Sequence, residues 1–245
     1  MDGRREDLLP LHRAVELPMT MHHQSHTAVD LLALDHVALS PQDPEAMARF
    51  LCEAIGLHEL ERAGGSIVVG TEDHATKVVL SASDGPSEPG ALVRLILRVS
   101  DPQRALAALP PDTDVEEDVP GSLVLTGPEG LGIGLTFMAA GVPEYDLDDV
   151  VLRVADPEDI RVALAELGCV PRGHSLHVAD KGISLEQGGG ISERPLLRHV
   201  AVRVASVEAV ATQGRERGLE IDESADGSIA IVLPGPERLR LSFVE

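Results

Sequence analysis

Four residues able to hold a proton, a metal ion or an anion recur along this 245-residue chain: His36, Arg94, Asp149 and His199, spaced 58, 55 and 50 residues apart. Each opens an alternating apolar run: His36-Val37-Ala38-Leu39, Arg94-Leu95-Ile96-Leu97, Asp149-Val150-Val151-Leu152 and His199-Val200-Ala201-Val202. An imidazole is a proton carrier near neutral pH and a common metal ligand. A guanidinium clamps carboxylate or phosphate. A carboxylate is a ligand for hard cations. One position, repeated four times, therefore samples three kinds of chemistry.

The elements that must position these residues repeat with them. After Leu39, Asp43 reads as a helix cap and Pro44 as a first helical residue. Met47, Phe50, Leu51, Ala54 and Ile55 then form an apolar face at helical spacing, and Gly56 stops it. Strand-like segments follow near 57–62, 66–70 and 76–82. The unit reads βαβββ. It recurs from 91, with a helix from Pro102 to Leu109 and strands at Ser122–Thr126 and Leu131–Phe137. It recurs again from 148, with a helix from Pro157 to Leu167, and from 198, with a helix from Ser206 to Arg217. Gly127-Pro128-Glu129 and Gly235-Pro236-Glu237 punctuate modules two and four at the same place. A period of this length marks one supersecondary unit copied along the chain.

Strand parity separates the faces, because alternate side chains share a side. Val37, Leu39, Val200 and Val202 suit packing on helices, so His36, Arg94, Asp149 and His199 point to the opposite, concave side. In the last strands Arg240 and Ser242 share that side, as do Ser184 and Gly134 at the matching places of modules three and two. Arg98, Arg153 and Arg203 recur near strand ends, where exposure to solvent is the expectation. His174 and His177 read as hairpin residues or as auxiliary acid–base groups.

Composition bounds the partners. A net charge of -21 excludes a basic nucleic-acid face and docking on anionic lipid. No apolar run approaches the length of a membrane span. Two cysteines, Cys52 and Cys169, give neither a disulfide framework nor a Cys-based zinc site. These features point to a cytoplasmic protein. Lysine occurs only at 77 and 181, which suggests a GC-rich, bacterial genome. Residues 1–33 match no module and read as a flexible extension; His22, His23 and His26 within it belong to a solvated tail.

Leu34-Asp35-His36-Val37-Ala38-Leu39, Phe50-Leu51 through Gly56-Leu57, and Leu197-Arg198-His199-Val200-Ala201-Val202 resemble the vicinal oxygen chelate superfamily. Glyoxalase I, extradiol dioxygenases, fosfomycin-resistance enzymes and bleomycin-binding proteins belong to it. The resemblance implies an α+β fold in which βαβββ modules pair into curled sheets around a cup. Four modules give two such domains, expected at 34–140 (modules one and two) and 141–245 (modules three and four).

The resemblance also implies a ligand set: a His or similar residue on a module's first strand and a carboxylate on its last. For the extradiol type the places map to Asp149, His199 and Ser242, and only His199 keeps the expected residue type. The other cup would hold His36, Arg94 and Gly134. Pairing modules one and four instead would bring His36 and His199 together in a two-His site lacking its carboxylate. The metal candidates are thus His199, Asp149 and His36, for Fe, Mn, Ni or Zn. The ligand-binding candidates are Arg94, Arg240, Ser242 and Ser184. The leading expectation is a small-molecule binder with a degenerate metal site, monomeric or homodimeric. An active metal-dependent enzyme, extradiol dioxygenase-like or glyoxalase-like, is the alternative, requiring Glu186 or Glu245 to turn inward through a strand slip. A non-catalytic structural or interaction protein is the second alternative.

Overall fold

The computed structural model describes residues 29–73, 75–109, 113–119, 122–138, 144–224 and 227–245. Module one comprises β1 (Leu31–Leu39), α1 (Pro44–Arg49) continued by a π-helical segment (Phe50–Ile55), β2 (His58–Ala63), β3 (Ser66–Gly70) and β4 (Lys77–Ser81). Module two comprises β5 (Leu92–Val99), α2 (Pro102–Ala108), β6 (Val115–Val119), β7 (Ser122–Thr126) and β8 (Gly132–Phe137). Module three has β9 (Asp146–Val154), α3 (Pro157–Glu166), β10 (Val170–Arg172), β11 (Ser175–Val178) and β12 (Lys181–Gln187). Module four has β13 (Leu197–Val204), α4 (Val207–Glu216), β14 (Glu220–Glu223), β15 (Ile229–Val232) and β16 (Arg240–Val244).

Each helix begins where its cap stands. The side chains of Asp43, Asp101, Asp156 and Ser206 accept backbone N–H bonds in the first turn of α1, α2, α3 and α4. The helices cover one face of each sheet, and period-two alternation places the apolar residues there. Val37, Leu39, Leu80, Val202 and Phe243 are fully buried. Each such side chain contributes about 1.5–3 kcal/mol by leaving water. His36, Lys77, His199 and Arg240 lie on the other face and keep partial or full exposure.

Two eight-stranded sheets form. The first runs β14-β15-β16-β13-β1-β4-β3-β2 and the second β10-β11-β12-β9-β5-β8-β7-β6. Module one therefore pairs with module four and module two with module three. The expected domains at 34–140 and 141–245 are corrected accordingly. The physical reason lies in the middle of each sheet, where two first strands pair antiparallel: β1 with β13, and β5 with β9. The chain completes the second sheet as an insertion between the halves of the first. The extension is also shorter than 1–33. Leu31–Ala33 belong to β1, Val29 is buried, and Ala205 N donates to Asp30 O at 3.3 Å. His22, His23 and His26 lie outside the described residues.

A buried polar network ties the two sheets together. Thr76, just before β4, donates its hydroxyl to Asp146 Oδ1 at 2.9 Å and accepts from Leu147 N. The other Asp146 oxygen accepts from Lys181 Nζ and faces Arg98 Nη1 at 3.4 Å. Arg98 also donates to Asp148 at 2.8 Å and to Asp180 at 3.0 Å. The Arg98 side chain is only 11% exposed, so the expectation of a solvated strand end is corrected for this arginine. Removing one partner of a buried charged set strands the others. Asp146→Ala is expected to cost about 3–5 kcal/mol in urea unfolding, well above Asp148→Ala, whose carboxylate is partly solvated. Equal losses for the two variants would contradict this account.

Candidate functional site

In the first sheet the concave face gathers His36 from β1 and His199 from β13. The register sets Ala38 opposite His199 and His36 opposite Ala201, so the two imidazoles are diagonal neighbours on one side. Their Nε2 atoms are 3.2 Å apart and their rings meet edge to face, centroids 5.3 Å apart. The small side chains of Ala38 and Ala201 are buried beneath them.

Bulges aim these residues. The β1–β13 register shifts between Leu34 and His36, making Asp35 an extra residue, and shifts again beside Arg198. In the second sheet the same shifts fall at Val93 and at Asp148. Each of the four repeated positions thus directly follows a bulged residue, and bulges commonly re-aim side chains beside functional sites. The Asp35 bulge turns its carboxylate onto the concave face. There it accepts from His36 Nδ1 at 2.9 Å, from Lys77 Nζ at 2.9 and 3.0 Å, and from Arg203. The second sheet repeats this clamp with Arg98 on Asp148. Arg203 is therefore an ion-pair partner as well as a half-exposed strand-end residue, which corrects the purely solvated expectation.

These contacts fix the protonation pattern. The bonds from His36, Lys77 and Arg203 hold the Asp35 carboxyl far below the usual carboxylate range, so it is an ionised acceptor. His36 Nδ1 then donates to Asp35, and in the neutral imidazole this tautomer leaves Nε2 with its lone pair. With that tautomer, the 3.2 Å contact is made by His199 Nε2–H donating to His36 Nε2. Burial, followed by the electrostatic influence of the neighbouring Arg198 and Arg240, pushes the His199 imidazole down to about 4. The result is a polarised chain, Asp35 to His36 to His199, neutral at its outer imidazole.

Two nitrogens bound to zinc at about 2.0–2.1 Å in tetrahedral geometry lie roughly 3.3–3.4 Å apart, close to the separation of this pair. A third donor does not follow. Val79 on β4 faces Ala38, and Ser242 on β16 faces Ala201, so the last-strand places beside the pair carry no carboxylate. Ser242 is buried and directs its hydroxyl to Ile229 O at 3.4 Å. Asp35 is committed to Lys77 and Arg203. Among the described residues no group of three His, Cys, Asp or Glu side chains is placed to hold a metal. The side chains present thus fit two positions of a metal's shell and leave the protein carboxylate unsupplied.

The remaining candidates separate. Arg240 lies on the first sheet and pairs with Asp222 at 2.7 Å. Asp149, Ser184 and Arg94 lie on the second, so the mapped set of Asp149, His199 and Ser242 does not assemble, nor do His36, Arg94 and Gly134. Ser184 donates to Asp149, and Arg94 faces Glu186 at 3.6 Å. No strand slip is needed to turn Glu186 inward: it lies two residues past Ser184 and shares its face. Glu245 instead accepts from Val207 N at 3.1 Å.

His177 is the residue whose place the sequence left most open. The register aligns His177, Gly182 and Asp149 in one row across β11, β12 and β9. A Cβ on Gly182 would stand 2.8 Å from Asp149 Oδ1. Among the described residues Asp149 Oδ1 and His177 Nδ1 are buried without a hydrogen-bond partner, and burial raises the Asp149 carboxyl. Strand parity across the β11–β12 hairpin was the available signal for this row.

The comparisons agree with this architecture. Residues 33–227 match the model of the Glyoxalase/Bleomycin resistance protein/Dioxygenase superfamily, and the chain belongs to that family. A glyoxalase I mutant from Zea mays is similar in structure, with TM-score 0.68 and 18% identity, covering 90% of this chain and 95% of that one. A candidate dioxygenase from Bacillus subtilis gives TM-score 0.68 at 14% identity, covering 88% and 86%. The cppA protein of Streptococcus pneumoniae gives TM-score 0.62 at 12% identity, covering 88% and 99%. These identities establish the fold. No curated protein matches the sequence significantly. No helix among the described residues is long and apolar enough to cross a membrane.

The His199 environment makes stability depend on pH. Its pKa is near 4 folded and about 6.5 unfolded, so the unfolded chain takes up the proton first. This contribution is complete above pH 6.5 and is lost as pH falls from 6.5 to 4, by roughly 3 kcal/mol at most. Replacing His199 by Asn should flatten that part of the stability curve measured by urea unfolding. An unchanged slope would refute the buried, neutral imidazole.

Proposed function

We propose that the first sheet's cup binds a small organic ligand through His36 and His199, and that the family's metal centre is reduced here to this imidazole pair. The observation that carries the reading is the 3.2 Å Nε2–Nε2 contact, polarised by an ionised Asp35, beside last-strand places held by Val79 and Ser242. His199 offers an N–H and His36 a lone pair. A ligand hydroxyl can replace their mutual bond by accepting from one and donating to the other. Lys77, Arg203, Arg198 and Arg240 outnumber the carboxylates Asp35 and Asp222 that pair with them, so an anionic or carbonyl-bearing ligand is favoured over a cation. Arg240 and Ser242 contribute to the wall. In the second sheet Ser184 engages Asp149 and Arg94 faces Glu186, which suits a filled cup better than an open one. The protein is read as cytoplasmic on its charge and its two free cysteines.

A metal-dependent enzyme, extradiol dioxygenase-like or glyoxalase-like, is the second reading. The observation favouring it is that the nitrogen separation suits tetrahedral chelation. Anaerobic reconstitution with Fe(II), Mn(II), Ni(II) or Zn(II), followed by mass spectrometry, discriminates the two. The chain should carry His22, His23 and His26 replaced by Ala to remove adventitious binding. The proposal expects far less than one metal per chain. In a thermal-shift screen of small hydroxy and oxo acids, it also expects a stabilising ligand whose effect vanishes in His36→Gln and His199→Gln. One equivalent of metal, lost in His199→Gln, would overturn it in favour of the enzyme.

A further inference from the structure

A second opening lies where two inter-module linkers cross. The segment after β4 and the segment before β13 are laced together: Glu88 N donates to Arg194 O at 3.0 Å, and Leu196 N to Glu88 O at 2.7 Å. Ser40 N donates to Leu196 O at 2.8 Å, and Ser83 N to Pro41 O at 2.9 Å. With the turn before β16, these segments wall a cleft of about 570 Å³. The hydrogen bonds hold its walls in place before any ligand arrives, which lowers the ordering cost of binding.

The charge of this cleft opposes that of the chain. The protein has 41 acidic and 20 basic residues. The cleft is lined by Arg194, Arg198, Arg238 and Arg240 against Asp84 and Glu237. Two of the arginines are neutralised in place, Arg238 by Glu220 at 2.6 Å and Arg240 by Asp222 at 2.7 Å. Glu237 turns one carboxylate oxygen to Ala155 N at 2.8 Å. Among the described residues, Arg194 and Arg198 carry no comparable carboxylate partner. The Arg194 guanidinium lies over Gly85, where an added Cβ would come within 2.1 Å of Nη1. The absence of a side chain at Gly85 makes that position possible.

We propose that this cleft is an anion-binding site for a doubly charged oxyanion, a phosphate group or a dicarboxylate, with Arg194 and Arg198 as its donors. Guanidinium forks match the oxygen pairs of both anions and bind them bidentately. Ser40 and Ser192 add hydroxyl groups to the lining. Arg198 and Arg240 stand between the cleft and the cup, but neither His36 nor His199 lines the cleft, so the site does not need the imidazole pair to bind a ligand.

Isothermal titration of the full chain at low ionic strength tests the site, with inorganic phosphate in one arm and malonate in the other. Saturable binding near one anion per chain is expected, the tighter arm identifying the anion. Arg194→Ala with Arg198→Ala should weaken it at least tenfold. Gly85→Ala, which keeps every charge but displaces the Arg194 guanidinium, should weaken it severalfold. His36→Gln should leave it within twofold, so a failed cup and a failed cleft are told apart. Absence of saturable binding by either anion, or affinity unchanged in both arginine and glycine variants, would overturn the proposal. Circular dichroism melts show that each variant tested is folded.

Discussion

The bulged aspartate between two cations is the interaction on which the site depends. In the first sheet Asp35 is held by Lys77 and Arg203 and holds His36 in turn. Its side chain is 9% exposed, so its charge is tolerable only with these partners. The bulge that turns it inward also sets the register of β1 against β13. One local irregularity thereby fixes the strand pairing, the tautomer of His36 and the side on which His199 meets it. Because the pairing joins the first module to the last, the chain must close this sheet across an intervening pair of modules.

The second sheet shows what the same scaffold does with other residues. Its bulge at Asp148 is clamped by Arg98, as Asp35 is by Arg203. The positions matching the imidazoles hold Asp149 and Arg94. Ser184 donates to Asp149, and Glu186 faces Arg94. Among the described residues of this sheet, Asp149 Oδ1 and His177 Nδ1 are the buried side-chain atoms left without a hydrogen-bond partner. The scaffold is repeated, and the side chain that differs between modules is the one after each bulge: His36, Arg94, Asp149 and His199. Membership of the superfamily fixes this frame; the pair of imidazoles without a last-strand carboxylate distinguishes the first cup.

Much of this was legible from alternation alone. The βαβββ repeat, the helix caps at Asp43, Asp101, Asp156 and Ser206, and the inward facing of His36 and His199 follow from period-two and period-3.6 patterns. Pairing of the modules was not legible in that way, since β1 is equally apolar toward either central partner and only tertiary closure selects β13. The role of Arg98 and Arg203 was hidden for a related reason. A strand-end arginine looks solvated until the bulge brings an aspartate under it. The sequence did carry a clue, because Leu34-Asp35-His36 and Leu147-Asp148-Asp149 place an aspartate before each functional residue, and both arginines stand four residues past Arg94 and His199. The linker cleft was beyond reach, because its walls come from segments near residues 40, 82–91, 190–198 and 236–240 that only the fold brings together.

The central claim is that His36 and His199 share one proton-bearing contact with tautomers imposed by Asp35. Nitrogen-15 NMR of the imidazoles at neutral pH tests it most directly. The account requires His36 protonated at Nδ1 and His199 protonated at Nε2, with His36 reverting to a tautomer mixture in Asp35→Asn. His36 protonated at Nε2 in the wild-type chain, or two imidazoles indifferent to Asp35→Asn, would contradict it.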